Sequence, residues 1–374
     1  MKKLMLTTAI ASVLTTAAIA QTTISGELRI SYKNVDMDKG AAGTAVIKDS
    51  NYGFGSEQQI NIQTKGKLNL GGLDYAAGMS IENDGEQTGT LFNENVYMDL
   101  TQASTGTTIS FGRDHIQRSD SDYSATNLVG FSPNELSQIN NATSGGTSFN
   151  QNIGAAPSQQ FGAAIIQDVG TFGKVSYNFV PNNAKPASNY VDTPSSAGNV
   201  VGTAASEAVN PNTTSAYEYG FVGSLGVKGL TAHYFKNANS DFAISSNEVK
   251  AEGTNMGVKY NFGQITLGAN QKKHQAETTN ALKIVSGSTN TGEIKETALA
   301  AAYAVNNNLT IGVIHAKAEH PAVSTLKDQK TKGINIGYNL GPVNLAVGYA
   351  QTEDSKGLTG NDTEVFMTRL IGAF

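Results

Sequence analysis

The chain contains no cysteine and no tryptophan, few prolines (8) and few charged residues (15% of 374). Without cysteine there is no disulfide framework and no thiolate metal site, and no lipid-anchored cysteine can follow a leader. Soluble domains carry roughly 25% charged residues, so the composition points away from an ordinary soluble domain. The biased compositions of collagen, coiled coils and charged disordered chains are missing as well. The net charge is −5. A nucleic-acid binder needs a basic footprint, so no nucleic-acid partner is expected. Beyond the N-terminus the longest apolar run, Ala298–Val305, falls far short of the roughly 20 residues that a membrane-spanning helix needs.

What is present begins with a leader. Lys2 and Lys3 precede the mostly apolar stretch Leu4–Leu14, and Ala18-Ile19-Ala20 forms a small-x-small cleavage site before Gln21. This is the pattern of a secretory signal peptide. Residues 1–20 are therefore expected to be a leader and 21–374 the mature chain, exported from a bacterial cytoplasm. A mature chain without an apolar helix is either soluble or crosses a membrane as a closed β-barrel, because only a closed barrel otherwise satisfies the backbone in lipid.

The residue pattern separates these two. Ile24, Gly26, Leu28, Ile30 and Tyr32 alternate with Ser25, Glu27, Arg29, Ser31 and Lys33. Ile60, Ile62, Thr64, Leu68 and Leu70 lie opposite Gln59, Asn61, Gln63, Lys65, Lys67 and Asn69, and Phe366, Thr368, Leu370, Gly372 and Phe374 opposite Val365, Met367, Arg369 and Ile371. Period two places one set on each face of a strand. A soluble sandwich would alternate too, but three features favour a membrane barrel. Short turns (71–72, 104–106, 169–171, 226–229, 263–264, 306–308, 341–342) alternate with long loops (35–56, 83–92, 114–158, 181–214, 237–250, 275–293, 319–330, 353–362), as in outer-membrane barrels. Tyr and Phe sit at the ends of apolar faces, where interfacial girdles form. The polar faces carry Lys, Arg and Glu in mid-strand, which suits a wet lumen and not a dry core.

The predicted fold class is therefore all-β: a transmembrane antiparallel up-and-down barrel of about sixteen strands. They fall near 22–34, 57–70, 73–82, 94–102, 107–113, 159–168, 172–180, 215–225, 230–237, 251–262, 264–274, 294–305, 309–318, 331–340, 343–352 and 363–374. The Pro/Ala/Ser/Asn-rich stretch 181–214 reads as a long loop within one domain, because the same strand pattern resumes after it. Small residues on polar faces (Gly78, Gly257, Ala298, Ala300, Ala302) fit a wall that leaves room, a subunit contact, or a place where an inner loop packs.

The sequence resembles the Gram-negative general porins over the whole mature chain. The resemblance rests on the first strand Thr-Ile-Ser-Gly-Glu-Leu-Arg-Ile-Ser-Tyr (23–32), on Phe111-Gly112-Arg113 before a long segment, and on the terminal Phe374 with Phe366 and Leu370 on its face. Two positions depart from the family. Gly372 stands where many members carry a larger apolar residue. The third loop has Phe131-Ser132-Pro133-Asn134-Glu135 in place of the Pro-Glu-Phe-Gly-Gly stretch of enteric porins.

The resemblance implies several functional features. It implies a third loop (Asp114–Ser158) folded inward to narrow a water-filled channel for small hydrophilic solutes and ions. It implies a homotrimer in outer-membrane lipid, and Phe366, Leu370 and Phe374 as the signal read by the outer-membrane assembly machinery. The acidic side of the constriction would be Asp114, Asp120, Asp122 and Glu135. The basic side would be Arg29, Lys33, Lys65, Lys67, Arg113 and Arg118, giving a transverse field. Strict alternation from Phe111 points Arg113 toward lipid, and a bulge near Gly112 would re-aim it. Arg369, nearer the periplasmic mouth, fits a rim position better than a pore role.

No cofactor is expected. Asp120 and Asp122 are a weak candidate for Ca2+, since the segment lacks the glycine turn and bidentate Glu of an EF-hand. The alternative to general diffusion is a solute-selective porin. For phosphate or other anions a ladder of Lys33, Lys65, Lys67, Lys174, Lys259 and Lys272 would serve; for sugars, Tyr123 and Phe131. An outer-membrane enzyme would need a Ser/His or Asp/His set, and spacing picks out none. A soluble periplasmic or fibrous adhesin would show the same alternation.

Overall fold

The computed structural model describes residues 21–41, 44–68, 72–83, 92–112, 124–137, 162–180, 216–244, 247–276, 292–319, 321, 326–355 and 359–374. Sixteen strands follow one another: β1 (Gln21–Ala41), β2 (Thr44–Lys67), β3 (Leu73–Asn83), β4 (Phe92–Gln102), β5 (Thr107–Gly112), β6 (Gly162–Asp168), β7 (Lys174–Val180), β8 (Ala216–Gly223), β9 (Leu230–Ile244), β10 (Asn247–Phe262), β11 (Ile265–Ala276), β12 (Gly292–Ala304), β13 (Leu309–Glu319), β14 (Gln329–Asn339), β15 (Val343–Glu353) and β16 (Asp362–Ala373). Each is antiparallel to its sequence neighbour, and β16 returns to β1 to close the barrel. Closure leaves no unpaired edge within the ring, as a lipid-facing sheet requires. Among the described residues no helix is long and apolar enough to cross a membrane.

The closing seam is fixed by the last residue. Phe374 N–H donates to Gly26 O at 3.0 Å, and Gly26 N–H donates to Phe374 O at 2.8 Å. A Cβ on Gly26 would meet the Phe374 ring at 2.2 Å, so glycine is what lets the ring cross the first strand.

The two faces follow the alternation. Ile24, Leu28, Ile30, Leu267, Val313, Ile334 and Leu370 are exposed on the outside. The other face holds the polar and small residues, among them Ser80, Asp99, Ser110, Asn178, Glu218, Asn255, Asn270 and Glu296, all buried. Buried polar atoms inside a β-protein require polar company; here neighbouring strands supply it, as Asn270 donating to Asn255 and Asn95 to Ser80, together with the segment 124–137, whose Ala125 N–H donates to Asn270. The apolar core also lies inside, as a cluster of Phe131, Leu136, Ala300, Ile314, Ala346, Ala350, Val365 and Met367.

Two expected loops differ. Residues 35–56 and 237–250 largely continue as strand, with β1 paired to β2 as far as Ala41↔Thr44 and β9 to β10 as far as Asn247↔Ile244. Outside lipid both faces of a hairpin are wet, so pairing persists without apolar alternation and the pattern that marks the spanning part is missing. Register shifts at Lys39/Ala41 and Val249/Ala251 interrupt these extensions.

Candidate functional site

One segment of the β5–β6 connection lies against the inner wall. Residues 124–137 include a short helix, α1 (Pro133–Ser137), which starts with a reciprocal cap. Ser132 N–H donates to Glu135 Oε2 at 2.7 Å, and Glu135 N–H donates to Ser132 Oγ at 3.2 Å. With Pro133 at the first helical position, where no backbone N–H is needed, Ser-Pro-Asn-Glu forms a capping box.

The segment then docks by polar bonds from strands distant in sequence. Asn335 of β14 donates to Phe131 O at 2.9 Å, Ala125 N–H donates to Asn270 Oδ1 of β11 at 3.2 Å, and Arg369 of β16 donates to Glu135 Oε1 at 2.5 Å. The Arg369 guanidinium also lies 4.7 Å from the centroid of the Phe131 ring and donates to Ser31 Oγ at 3.2 Å. A guanidinium over an aromatic face gains electrostatic attraction that grows as water is excluded. Phe131 is 1% exposed.

Small wall residues make this close approach possible. A Cβ on Gly348 would lie 2.7 Å from Phe131 Cδ2 and 2.9 Å from Leu136 Cδ2. One on Gly268 would meet Ala125 O at 2.1 Å, and one on Gly312 would meet Val129 Cγ2 at 2.9 Å. Of the three meanings open for small inward residues, packing of an inner segment is the one these contacts support. Of the residues the sequence singled out, Ala300 packs with Phe131 and Leu136, and Ala298 lines the hollow beside the segment, whereas Gly268, Gly312 and Gly348 were not among them. Behind the segment, Ser124, Thr126, Asn127 and Pro133 enclose a small polar hollow with Asn270, Lys272, Glu296 and Ala298.

The other predicted site residues divide into three groups. Arg29 lies on the inner face of β1 and pairs with both Glu27 and Glu57, the latter at 2.8 Å. Lys33 lies on the same face, within electrostatic reach of Glu135. Lys65 and Lys67 share the polar face of β2 but stand at its last positions, opposite Gln21 and Asp74, at the end next to a short turn. Arg113, Asp114, Arg118, Asp120 and Asp122 lie outside the described residues. The bulge expected near Gly112 to re-aim Arg113 involves residues outside the described ones, and the β4–β5 register runs unshifted up to Tyr97↔Gly112; a separate bulge lies in the β3–β4 ladder, where Gly78 pairs with Tyr97 and Ser80 with Glu94, so β4 carries an extra residue. Gly112 fits beneath it, because a Cβ there would come 2.3 Å from Val96 O.

Arg369 is the residue the sequence reading placed wrongly. It is no rim residue; it holds the inner segment. Strict alternation from Phe374 already points it inward, and the Ser132–Glu135 capping signature already marked an ordered helix in the loop. Among the described residues no group of three or more His, Cys, Asp or Glu could hold a metal ion.

A closed sixteen-strand barrel with an apolar outside, a polar inside and a loop segment seated on the inner wall defines an outer-membrane channel. The profile of the Gram-negative porins matches residues 7–357, and the chain belongs to that family. It is a porin of the bacterial outer membrane, forming a water-filled channel for passive diffusion. No curated protein sequence matches the chain. Among solved structures it is similar to the anion-selective porin from Comamonas acidovorans, with 15% identity, 95% of this chain and 100% of that chain covered, and a TM-score of 0.62. It is also similar to the trimer form of OmpT, an outer membrane protein of Vibrio cholerae (11% identity, 95% and 99%, 0.60). A third is Salmonella typhi OmpF in complex with daunomycin (12%, 94% and 97%, 0.59). At these identities the likeness is one of fold.

Proposed function

We propose that the channel is a general diffusion pore for small hydrophilic solutes and ions, narrowed by the segment 124–137. The observation that carries this is the Glu135–Arg369 ion pair, which ties the β5–β6 connection to the inner face of the last strand. A sixteen-strand barrel encloses a lumen wide enough for water, and a segment held on one wall takes up part of its cross-section. Arg29 with Glu27 and Glu57, and Lys33 and Arg369 with Glu135, place charges of both signs beside the remaining opening. Such a field orients dipolar solutes and disfavours apolar ones. Arg113, Arg118, Asp114, Asp120 and Asp122 belong to the same proposal.

A phosphate-selective reading would need a continuous lysine ladder. Lys65, Lys67 and Lys174 lie near strand ends beside short turns, while Lys272 is buried next to Glu296. That spacing favours general diffusion. The reading is of a channel and not a catalyst, and family and fold support it. A homotrimer is proposed as well, supported by the trimer form of the similar Vibrio protein. Phe366, Leu370 and Phe374 are proposed as the signal for the assembly machinery. The test is swelling of liposomes carrying the protein in solutions of small sugars. Swelling that slows as sugar size rises supports general diffusion, and no swelling refutes it.

A further inference from the structure

The inner segment is held at both ends. Glu135 is tied to Arg369 of β16, and Ala125 to Asn270 of β11. The second attachment does not stop at Asn270. Asn270 Nδ2 donates to Asn255 Oδ1 of β10 at 3.1 Å, and His233 Nε2 of β9 lies 3.1 Å from the same oxygen. A line of hydrogen bonds therefore runs from the segment through β11 and β10 to β9. Its side chains, His233, Asn255 and Asn270, are only 3%, 4% and 7% exposed. With bulk water kept out, each member has to offer its neighbour the right polarity.

That polarity can be read link by link. A backbone N–H only donates, so Ala125 requires the oxygen of Asn270. The Asn270 NH2 group is thereby turned to Asn255, which answers with its oxygen. This oxygen has two lone pairs, and His233 uses the second, so His233 Nε2 carries a proton. Were Nε2 bare, Asn255 would turn its NH2 group to the ring and set it against the NH2 group of Asn270. Were Asn270 to turn in response, its NH2 group would face the Ala125 N–H. The proton on His233 is thus felt at the segment through two amides.

The surroundings keep the ring in place and the path clear. Phe235, two residues further along the same face of β9, lies 5.9 Å from His233 between ring centroids, a favourable aromatic spacing. Phe235 itself sits over Gly220 of β8, where a Cβ would run into its ring. On β10 a Cβ at Gly257 would come 2.5 Å from His233 Cε1 and 2.6 Å from Asn270 Oδ1. Glycine there leaves room for the line to cross the strand.

We propose that His233 is a positioning residue: through Asn255 and Asn270 it fixes the Ser124–Asn127 end of the inner segment on the barrel wall. The consequence for solute size rests on the reading of 124–137 as the narrowing element; the attachment itself does not.

The test uses the full-length protein in detergent micelles and liposomes. Thr126 is 1% exposed and the chain has no cysteine. Thr126→Cys therefore places a single thiol that a maleimide reaches only when this end of the segment leaves the wall. In that background His233→Phe keeps a ring beside Phe235 and removes the donor. Labelling is expected to speed up at least about fivefold, as loss of one buried hydrogen bond implies. Ala125→Pro, which removes the donor at the other end of the line, is expected to do the same. His233→Gln restores an N–H and is expected to bring labelling back toward the starting rate. Unchanged labelling in folded His233→Phe overturns the proposal. So does His233→Gln labelling as fast as His233→Phe, which would show that the ring matters and its proton does not. Where His233→Phe fails to fold, nitrogen-15 spectra of histidine-labelled wild type decide, with the His233 signals identified by their absence from His233→Gln. A protonated Nε2 is expected, and a bare Nε2 overturns the proposal. Liposome swelling in the same variants separates the two readings. A raised sugar cut-off in His233→Phe is expected; faster labelling with an unchanged cut-off upholds the attachment and refutes the narrowing.

Discussion

Glu135 and Arg369 are 234 positions apart in the chain and 2.5 Å apart in space. One carboxylate does two jobs: Oε2 caps α1 and Oε1 takes the guanidinium of the last strand. The inner segment is therefore capped and attached to the last strand through the same side chain.

Arg369→Met removes the ion pair and the contact with Phe131 while preserving bulk. The barrel is expected to fold, since its ladder is untouched. The open channel is expected to become noisier and its conductance to change by tens of per cent, with a shift toward cations because Glu135 loses its partner. Single-channel recording under a salt gradient reads both. A quiet channel of unchanged selectivity would place the anchor elsewhere.

Ser132→Ala removes half of the capping box at a cost of about 1 kcal/mol locally. The wall contacts of Phe131 and Leu136 remain. The expected result is faster proteolytic cleavage within 124–137 without loss of the heat-resistant barrel, read by electrophoresis with and without boiling.

Gly348→Leu directs a side chain into the space filled by Phe131 and Leu136. Overpacking of this kind forces neighbours to shift. The segment is expected to be pushed from the wall, with a measurable change in conductance. Gly53→Ala is the control: a Cβ there has open space within 4 Å, and no change is expected.

The spanning strands were legible because burial of one face in lipid imposes period two on every one of them; even the short β6 (Gly162–Asp168) and β13 (Leu309–Glu319) lie where the pattern put them. The hairpin extensions beyond lipid were not, because that constraint lapses there. The site was legible only in part. Arg29 and Lys33 declare themselves as charges in mid-strand, whereas the role of Arg369 depends on a loop that reaches it across the interior. Gly268, Gly312 and Gly348 look like any other small residues until Ala125, Val129 and Phe131 are seen against them.

Arg29→Ala leaves Glu27 and Glu57 without their shared cation. Two uncompensated carboxylates beside the lumen are expected to shift the reversal potential toward cation preference. The triple neutral variant with Glu27→Gln and Glu57→Gln is expected to restore it. An unchanged potential in Arg29→Ala would remove this wall from the ion path.

Deleting Phe374 takes away both hydrogen bonds to Gly26 and the ring packed over it. The expected outcome is a severalfold lower yield of folded barrel in cells, measured as the heat-modifiable fraction in outer-membrane preparations.

The most direct test is the purified protein in a planar lipid bilayer under a KCl gradient. A water-filled porin predicts stepwise conductance increments, in threes for the homotrimer, and a reversal potential that moves when Arg369 or Arg29 is replaced. Silence from protein confirmed to be folded and inserted would contradict the account.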